Sequence, residues 1–97
     1  MPSYRLLSEA KAELEAGVSF YDSQFPGLGR DFAREVRLLC HRITDSPAAG
    51  FEVRPDVRRR ILRRFPYSIL YTVENGDVLV IAVAHQSRRP GYWHHRG

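Results

Sequence analysis

The chain has 97 residues, 43 % hydrophobic and 11 % aromatic, with a net charge of +4. That is the size of one domain with one core, and near-average glycine and proline exclude general disorder. No run of about eighteen apolar residues exists to span a membrane, and Cys40 stands alone, so no internal disulfide can form.

Tyr4–Leu7 reads as a short strand. Ser8 is placed to cap a helix, with Glu9 favourable in its first turn. Ala10, Leu14, Val18, Tyr21 and Phe25 recur every three or four residues as one apolar stripe, which Pro26-Gly27 ends. A second stripe follows at Leu28, Phe32, Val36, Leu39 and Ile43, with Arg30, Arg34, Arg37 and Arg42 on its other face. Asp45-Ser46-Pro47 stops it, and the short joint between the helices predicts an αα-hairpin. Ala48–Asp56 has no periodicity and reads as a loop. Val57–Phe65 fits a helix or a strand by spacing; Pro66 and the strand after it select a strand.

Tyr67–Glu74 is rich in β-branched and aromatic residues, and Asp77–His85 is almost wholly apolar. Asn75-Gly76 between them predicts a type I′ hairpin turn. A two-residue turn sets Val73 against Val78, Tyr71 against Val80 and Tyr67 against Ala84, with Leu70, Ile81, Val83 and His85 on the opposite face. Both faces of the last strand are apolar, so a central position is expected. Two helices cover only one sheet face; the other must meet a loop, the C-terminal segment or a partner. The fold class is α+β: a short N-terminal strand, an αα-hairpin, then an antiparallel sheet (β-α-α-β-β-β), in a single domain over 1–97.

Lys11 is the only lysine among 15 Lys and Arg, so 15 − 1 = 14 are arginines. Arginine offers a planar fork of donors suited to phosphate or carboxylate, so nucleic acid or an acidic protein is a fitting partner. Met1 to Leu7 lacks the apolar stretch of a secretory signal, which with the lone cysteine makes the cytoplasm the expected location.

No metal site is expected: His94 and His95 are adjacent, and His41 and His85 lie far away in sequence. No glycine loop for a phosphate cofactor exists, so no cofactor is expected. Cys40 reads as a buried, inert thiol, and Glu9, Glu13 and Glu15 need only solvated or capping roles. On a strand, Arg58, Arg60 and Arg64 share one face and Arg59 and Arg63 the other. That cluster is either a basic track for phosphates or an acidic partner, or an edge strand guarded by charge. His85, ending the central strand, suits a general acid or base, or a hydrogen-bonded structural role. Tyr92 and Trp93 can stack on a base, or fold back over the open sheet face.

The order Val57-Arg58-Arg59 … Arg64-Phe65-Pro66-Tyr67 … Leu70-Tyr71 … Val80-Ile81-Ala82-Val83-Ala84-His85 … Arg88-Arg89-Pro90 resembles the RelE/ParE superfamily of type II toxin–antitoxin toxins. Ala10 … Glu13-Leu14 … Phe20-Tyr21 and Phe25-Pro26-Gly27-Leu28-Gly29 … Phe32 extend the likeness over almost the whole chain. The resemblance implies a growth inhibitor silenced by a cognate antitoxin with an acidic, amphipathic segment. It implies Arg58, Arg59, Arg60, Arg63, Arg64, Arg88, Arg89 and Trp93 as residues for target or antitoxin. ParE-like members poison DNA gyrase; RelE-like members cut mRNA in the ribosome. The nucleases carry an arginine where this chain has Ser68 and another where it has Gln86, while Tyr92 and Arg59 match their pattern. The resemblance therefore leans to a ParE-like gyrase inhibitor without enzymatic activity. The alternatives are a metal-independent endoribonuclease using Arg60, Arg64, His85, Arg88 and Tyr92, and an inactive antitoxin-binding homologue.

Overall fold

A computed structural model describes residues 3–96; Met1, Pro2 and Gly97, part of the domain read from the sequence, lie outside the described residues. Strand β1 (Tyr4–Leu6) leads into helix α1 (Ser8–Gln24) and helix α2 (Leu28–Asp45). Four strands follow: β2 (Phe51–Arg54), β3 (Val57–Ile61), β4 (Tyr67–Glu74) and β5 (Asp77–His85). They form one mixed sheet in the order β1-β5-β4-β3-β2. β1 runs parallel to β5, and the other neighbours are antiparallel. The α+β class and the αα-hairpin agree with the sequence reading, as does the central place of β5. Asn75 and Gly76 take the positive φ angles, 53° and 84°, that a type I′ turn requires.

The region read as a loop, Ala48–Asp56, contains β2. Its four residues are too few for a visible alternation, and only pairing with β3 makes them a strand. β2, not β3, is therefore the edge on that side of the sheet, so the arginines of β3 are not an edge guard. β3 ends at Ile61, and residues 62–66 turn, with Leu62 and Phe65 sunk into the core. Ser8 does not cap α1: it is the first helical residue, and Leu7 holds the cap position without a side-chain bond.

The helices meet at small residues. A Cβ on Gly17 would stand 2.5 Å from Phe32 Cε2, so glycine is what lets α1 and α2 approach there. Asp22 Oδ1 accepts the Gly29 N–H at 2.8 Å, so a side chain from α1 satisfies a free donor at the start of α2. Phe32, Val36, Leu39 and Ile43 bury the apolar stripe of α2 against one sheet face, where Ile69, Tyr71, Val78, Val80 and Val83 wait. Phe25, assigned to the α1 stripe by spacing, lies past the helix end and is exposed.

The hairpin register holds from the turn only as far as Tyr71. Val73 faces Val78 and Tyr71 faces Val80, but Leu70 then faces Ala82, leaving Ile81 as an extra residue, a β-bulge. Beyond it Tyr67 faces His85, not Ala84. The alternation of β5 shifts by one, so Val83 joins the helix-side core, and Ala82 and Ala84 fall on the second face with Ile81.

Candidate functional site

The second sheet face is covered by the chain's own C-terminal segment. Trp93, 6 % exposed, packs with Val57, Leu70, Leu79, Ile81, Ala82 and Ala84, and Val53 and Tyr92 border the cluster. The Arg54 guanidinium lies 5.0 Å from the Trp93 ring. Of the two roles read for Trp93, the structure shows the sheet cover.

A carboxylate on α1 clamps this segment. Glu13 Oε1 accepts from Arg96 Nη1 at 2.9 Å and from the Val83 N–H at 3.0 Å. Glu13 Oε2 accepts from Tyr92 OH at 2.6 Å and from Arg96 Nη2 at 3.1 Å. Arg96 Nη1 also donates to the Ile81 carbonyl at 3.1 Å. β1 stops at Leu6, with a last bond from Leu7 N–H to Val80 O. The pair thus takes over the polar groups of β5 that β1 no longer reaches. The side chains of Arg96 and Glu13 are 8 % and 14 % exposed. Burial works against the charge of Arg96, but bonding to Glu13 more than offsets it and raises its pKa. Burial first, then the Glu13 bond and charge, push the Tyr92 phenol far above its ordinary value. Arg88 stacks 3.9 Å from the Tyr92 ring centroid and 3.6 Å from Glu13 Oε2. A lone glutamate with ordinary helix spacing gave no sign of this in the sequence; its partners lie 70 to 83 residues away.

Beside the clamp lies a concavity of about 470 Å³. Arg59, Ser68, His85, Gln86, Arg88 and Arg89 line it above Leu70 and Ala84. His85 Nδ1 accepts the Ser87 N–H at 2.9 Å, which places the neutral ring's proton on Nε2, and the ring packs edge-on to Tyr67. These are the contacts of a hydrogen-bonded histidine at a strand end.

A second groove, of about 580 Å³, runs between α2 and β3 on the helix side of the sheet. Arg34, Arg42, Arg60, Arg63 and Arg64 line it with Asp31, Glu35 and the apolar Leu38 and Ile61. Leu38 and Ile61 are exposed. Glu35 Oε2 accepts the N–H groups of Arg63 and Arg64 at 2.6 and 3.1 Å, tying the turn to α2. Arg63 was expected with Arg59 on the other face; the turn after Ile61 breaks the alternation and brings it here beside Arg64. Among the described residues no group of three or more His, Cys, Asp or Glu could hold a metal ion. Cys40 is buried, and burial pushes its thiol up to about 12, which suits an inert core residue. No helix among the described residues is long and apolar enough to cross a membrane.

The sequence profile of the family described as "ParE toxin of type II toxin-antitoxin system, parDE" matches residues 4–90. The chain belongs to this ParE toxin family. Among curated proteins no relative matches. A chain from the chromosomal ParDE toxin–antitoxin system of P. aeruginosa superposes with a TM-score of 0.76 at 20 % identity, covering 88 % of this toxin and 96 % of that chain. The isolated E. coli RelE toxin superposes with a TM-score of 0.66 at 19 % identity, covering 97 % of this toxin and 94 % of that chain. At these identities the two structures establish the shared fold.

The five groups named for a nuclease do not converge in this toxin. Arg60 and Arg64 line the groove against α2, whereas Arg88 and Tyr92 line the concavity on the other sheet face; His85, at the strand end, pairs with Tyr67 and packs its ring on it. Arg58 does neither: its Nη1 donates to the Gly50 carbonyl at 2.8 Å and holds the turn before β2. Arg59 and Arg89 reach the concavity.

Proposed function

We propose that this ParE-family toxin arrests growth by binding DNA gyrase and does not cleave RNA. One observation carries the reading: the sheet stands between Arg60 and Arg64 on one side and Arg88 and Tyr92 on the other. In-line phosphoryl transfer needs its charges and its acid and base around one phosphate, and a displaced group loses most of its effect. Tyr92 is further engaged, its hydroxyl donating to Glu13 and its ring stacked under Arg88.

The groove between α2 and β3 supports a reading of antitoxin docking. Its exposed Leu38 and Ile61, framed by five arginines, suit an amphipathic segment with acidic and apolar residues. Such a segment folds on binding and gains from charge complementarity. A protein from the ParDE system shares the fold, which fits a partner of this kind.

The test is a supercoiling assay with purified gyrase in the cytoplasmic salt range. Added toxin should reduce supercoiling and trap cleaved DNA. Full supercoiling at saturating toxin would end the gyrase reading. Ribosome-bound mRNA cut on induction, with cutting lost in Tyr92→Phe, would favour the nuclease alternative. No growth arrest on expression without antitoxin would favour an inactive homologue. Leu38→Asp should abolish rescue by the antitoxin while leaving growth arrest intact.

A further inference from the structure

Asn75 is the only asparagine of the chain, and Gly76 follows it. The two form the turn between β4 and β5, and Val73 to Asp77 are all exposed. A Cβ at Gly76 would meet nothing within 4 Å, so the turn stands clear of the rest of the toxin. Glycine also sets no side chain beside its own nitrogen, which leaves that nitrogen open to approach from the Asn75 amide. Glu74 and Asp77 face each other in the last pair of the hairpin. Like charges directly opposite destabilise a pair, so the tip is primed to open. Two contacts from the β1 end offset the repulsion. Arg5 Nη2 lies 3.4 Å from Glu74 Oε1, an exposed pair of small worth. The Ser3 N–H and hydroxyl donate to Asp77 Oδ1 at 3.1 and 3.4 Å. Val78 beyond them is buried, and its N–H donates to the Ser3 carbonyl at 2.9 Å, so local opening stops there.

We propose that Asn75 is a self-modification site, at which the folded toxin ages through a cyclic imide into aspartyl and isoaspartyl forms. The Gly76 nitrogen attacks Cγ of Asn75 and a new C–N bond closes the ring. The bond from Cγ to the side-chain nitrogen breaks, and that nitrogen leaves as ammonia with the Gly76 amide proton. Water then opens the ring. Attack at Cγ gives aspartate; attack at the main-chain carbonyl gives isoaspartate, whose backbone runs through the side chain and is one methylene longer. The closed turn does not react, because at its first central residue a type I′ turn has ψ of about 30°, which turns the Gly76 nitrogen away from the side chain. The reaction therefore proceeds through the opened tip. Aspartate adds a third carboxylate between Glu74 and Asp77. Isoaspartate also lengthens a turn whose type allows only two residues, and so loosens the ties from Ser3 and Arg5 that hold β1 to the hairpin. This ageing is independent of the macromolecule the toxin acts on.

The test incubates the full-length toxin at mildly alkaline pH, folded in buffer and unfolded in urea. Ion exchange resolves the acidic forms, fragment mass spectrometry places them, and an isoaspartate-specific methyltransferase labels the longer backbone. Both products should accumulate at Asn75. The folded rate should be slower than the unfolded one by less than about 100-fold, the range of a local opening. A slowing beyond about 1,000-fold would require global unfolding and overturns the proposal. Asn75→Gly keeps a pair suited to a type I′ turn and should abolish both products. Acidic forms that persist in Asn75→Gly would assign the lost amide to Gln24 or Gln86 instead. Aspartate without isoaspartate would mean direct hydrolysis and overturns the cyclisation. In hydrogen exchange the isolated isoaspartyl form should lose protection at the Val78 N–H, while Asn75→Asp, which adds the charge alone, should retain most of it. Equal protection in the isoaspartyl and unmodified forms overturns the loosening of β1.

Discussion

Replacing Glu13 with alanine removes one carboxylate and leaves four groups without it. Arg96, only 8 % exposed on its side chain, would keep its charge in a buried place. The Val83 N–H and the Tyr92 hydroxyl would lose their acceptor, and half-exposed Arg88 would lose an ion pair that contributes little. Breaking a buried ion pair by removing one partner costs about 3–5 kcal/mol, because the other charge stays behind uncompensated. For a domain of this size that is a fall in Tm of about 12 °C or more. Urea unfolding of Glu13→Ala, Arg96→Met and the double variant Glu13→Leu/Arg96→Met forms the assay. The double variant should recover about 2 kcal/mol relative to the sum of the single losses, since it removes both charges together. It should not recover everything, because the Val83 N–H and Ile81 carbonyl remain buried without their partners. A loss below about 1 kcal/mol in Glu13→Ala, the worth of an exposed pair, would refute the reasoning. So would strict additivity of the two single variants.

Gly17→Ala gains up to about 1 kcal/mol of helix propensity but sets a methyl against Phe32, at an overpacking cost of about 1–3 kcal/mol. The net loss should show in thermal unfolding and should disappear when Phe32→Leu is added. Trp93→Ala should cost about 3–5 kcal/mol and open the second sheet face to a hydrophobic dye; unchanged dye binding would contradict the sheet cover. All five tyrosines, at positions 4, 21, 67, 71 and 92, are shifted upward from 10.0, chiefly by burial. Above pH 10 the unfolded phenols lose their protons while the folded ones hold theirs, so stability is complete below pH 10 and falls as pH rises beyond it. Phenolate absorbance should therefore appear together with unfolding in an alkaline titration, not before it.

Most of the fold was legible because its signals are local. The stripes of α1 and α2, the Asn75-Gly76 turn and the apolar run of β5 each sit within one window of sequence. β2 was illegible because Phe51 and Glu52 are exposed and four residues carry no pattern without β3 beside them. The partner of Tyr67 and the faces of Val83 and Ala84 were misread because a bulge inside an unbroken apolar run leaves no mark on composition. The concavity was half legible: Arg59, His85, Arg88 and Arg89 stood out by type, but Ser68 was noticed only as a missing arginine. Glu13 was passed over because its importance depends on contacts 70 to 83 positions distant, which no window contains.

Ile81 works as a parity switch. Without that one surplus residue, Val83 and His85 would project beneath the C-terminal segment, and Ala82 and Ala84 would face the helices. The hollow on the second face would then be filled by branched and aromatic bulk. Its volume depends on strand length as much as on side-chain choice. Losing one residue from β5 would invert every position beyond the break, whereas exchanging Ala84 for serine would disturb a single place. Change by substitution is therefore open to this strand in a way that change by insertion or deletion is not.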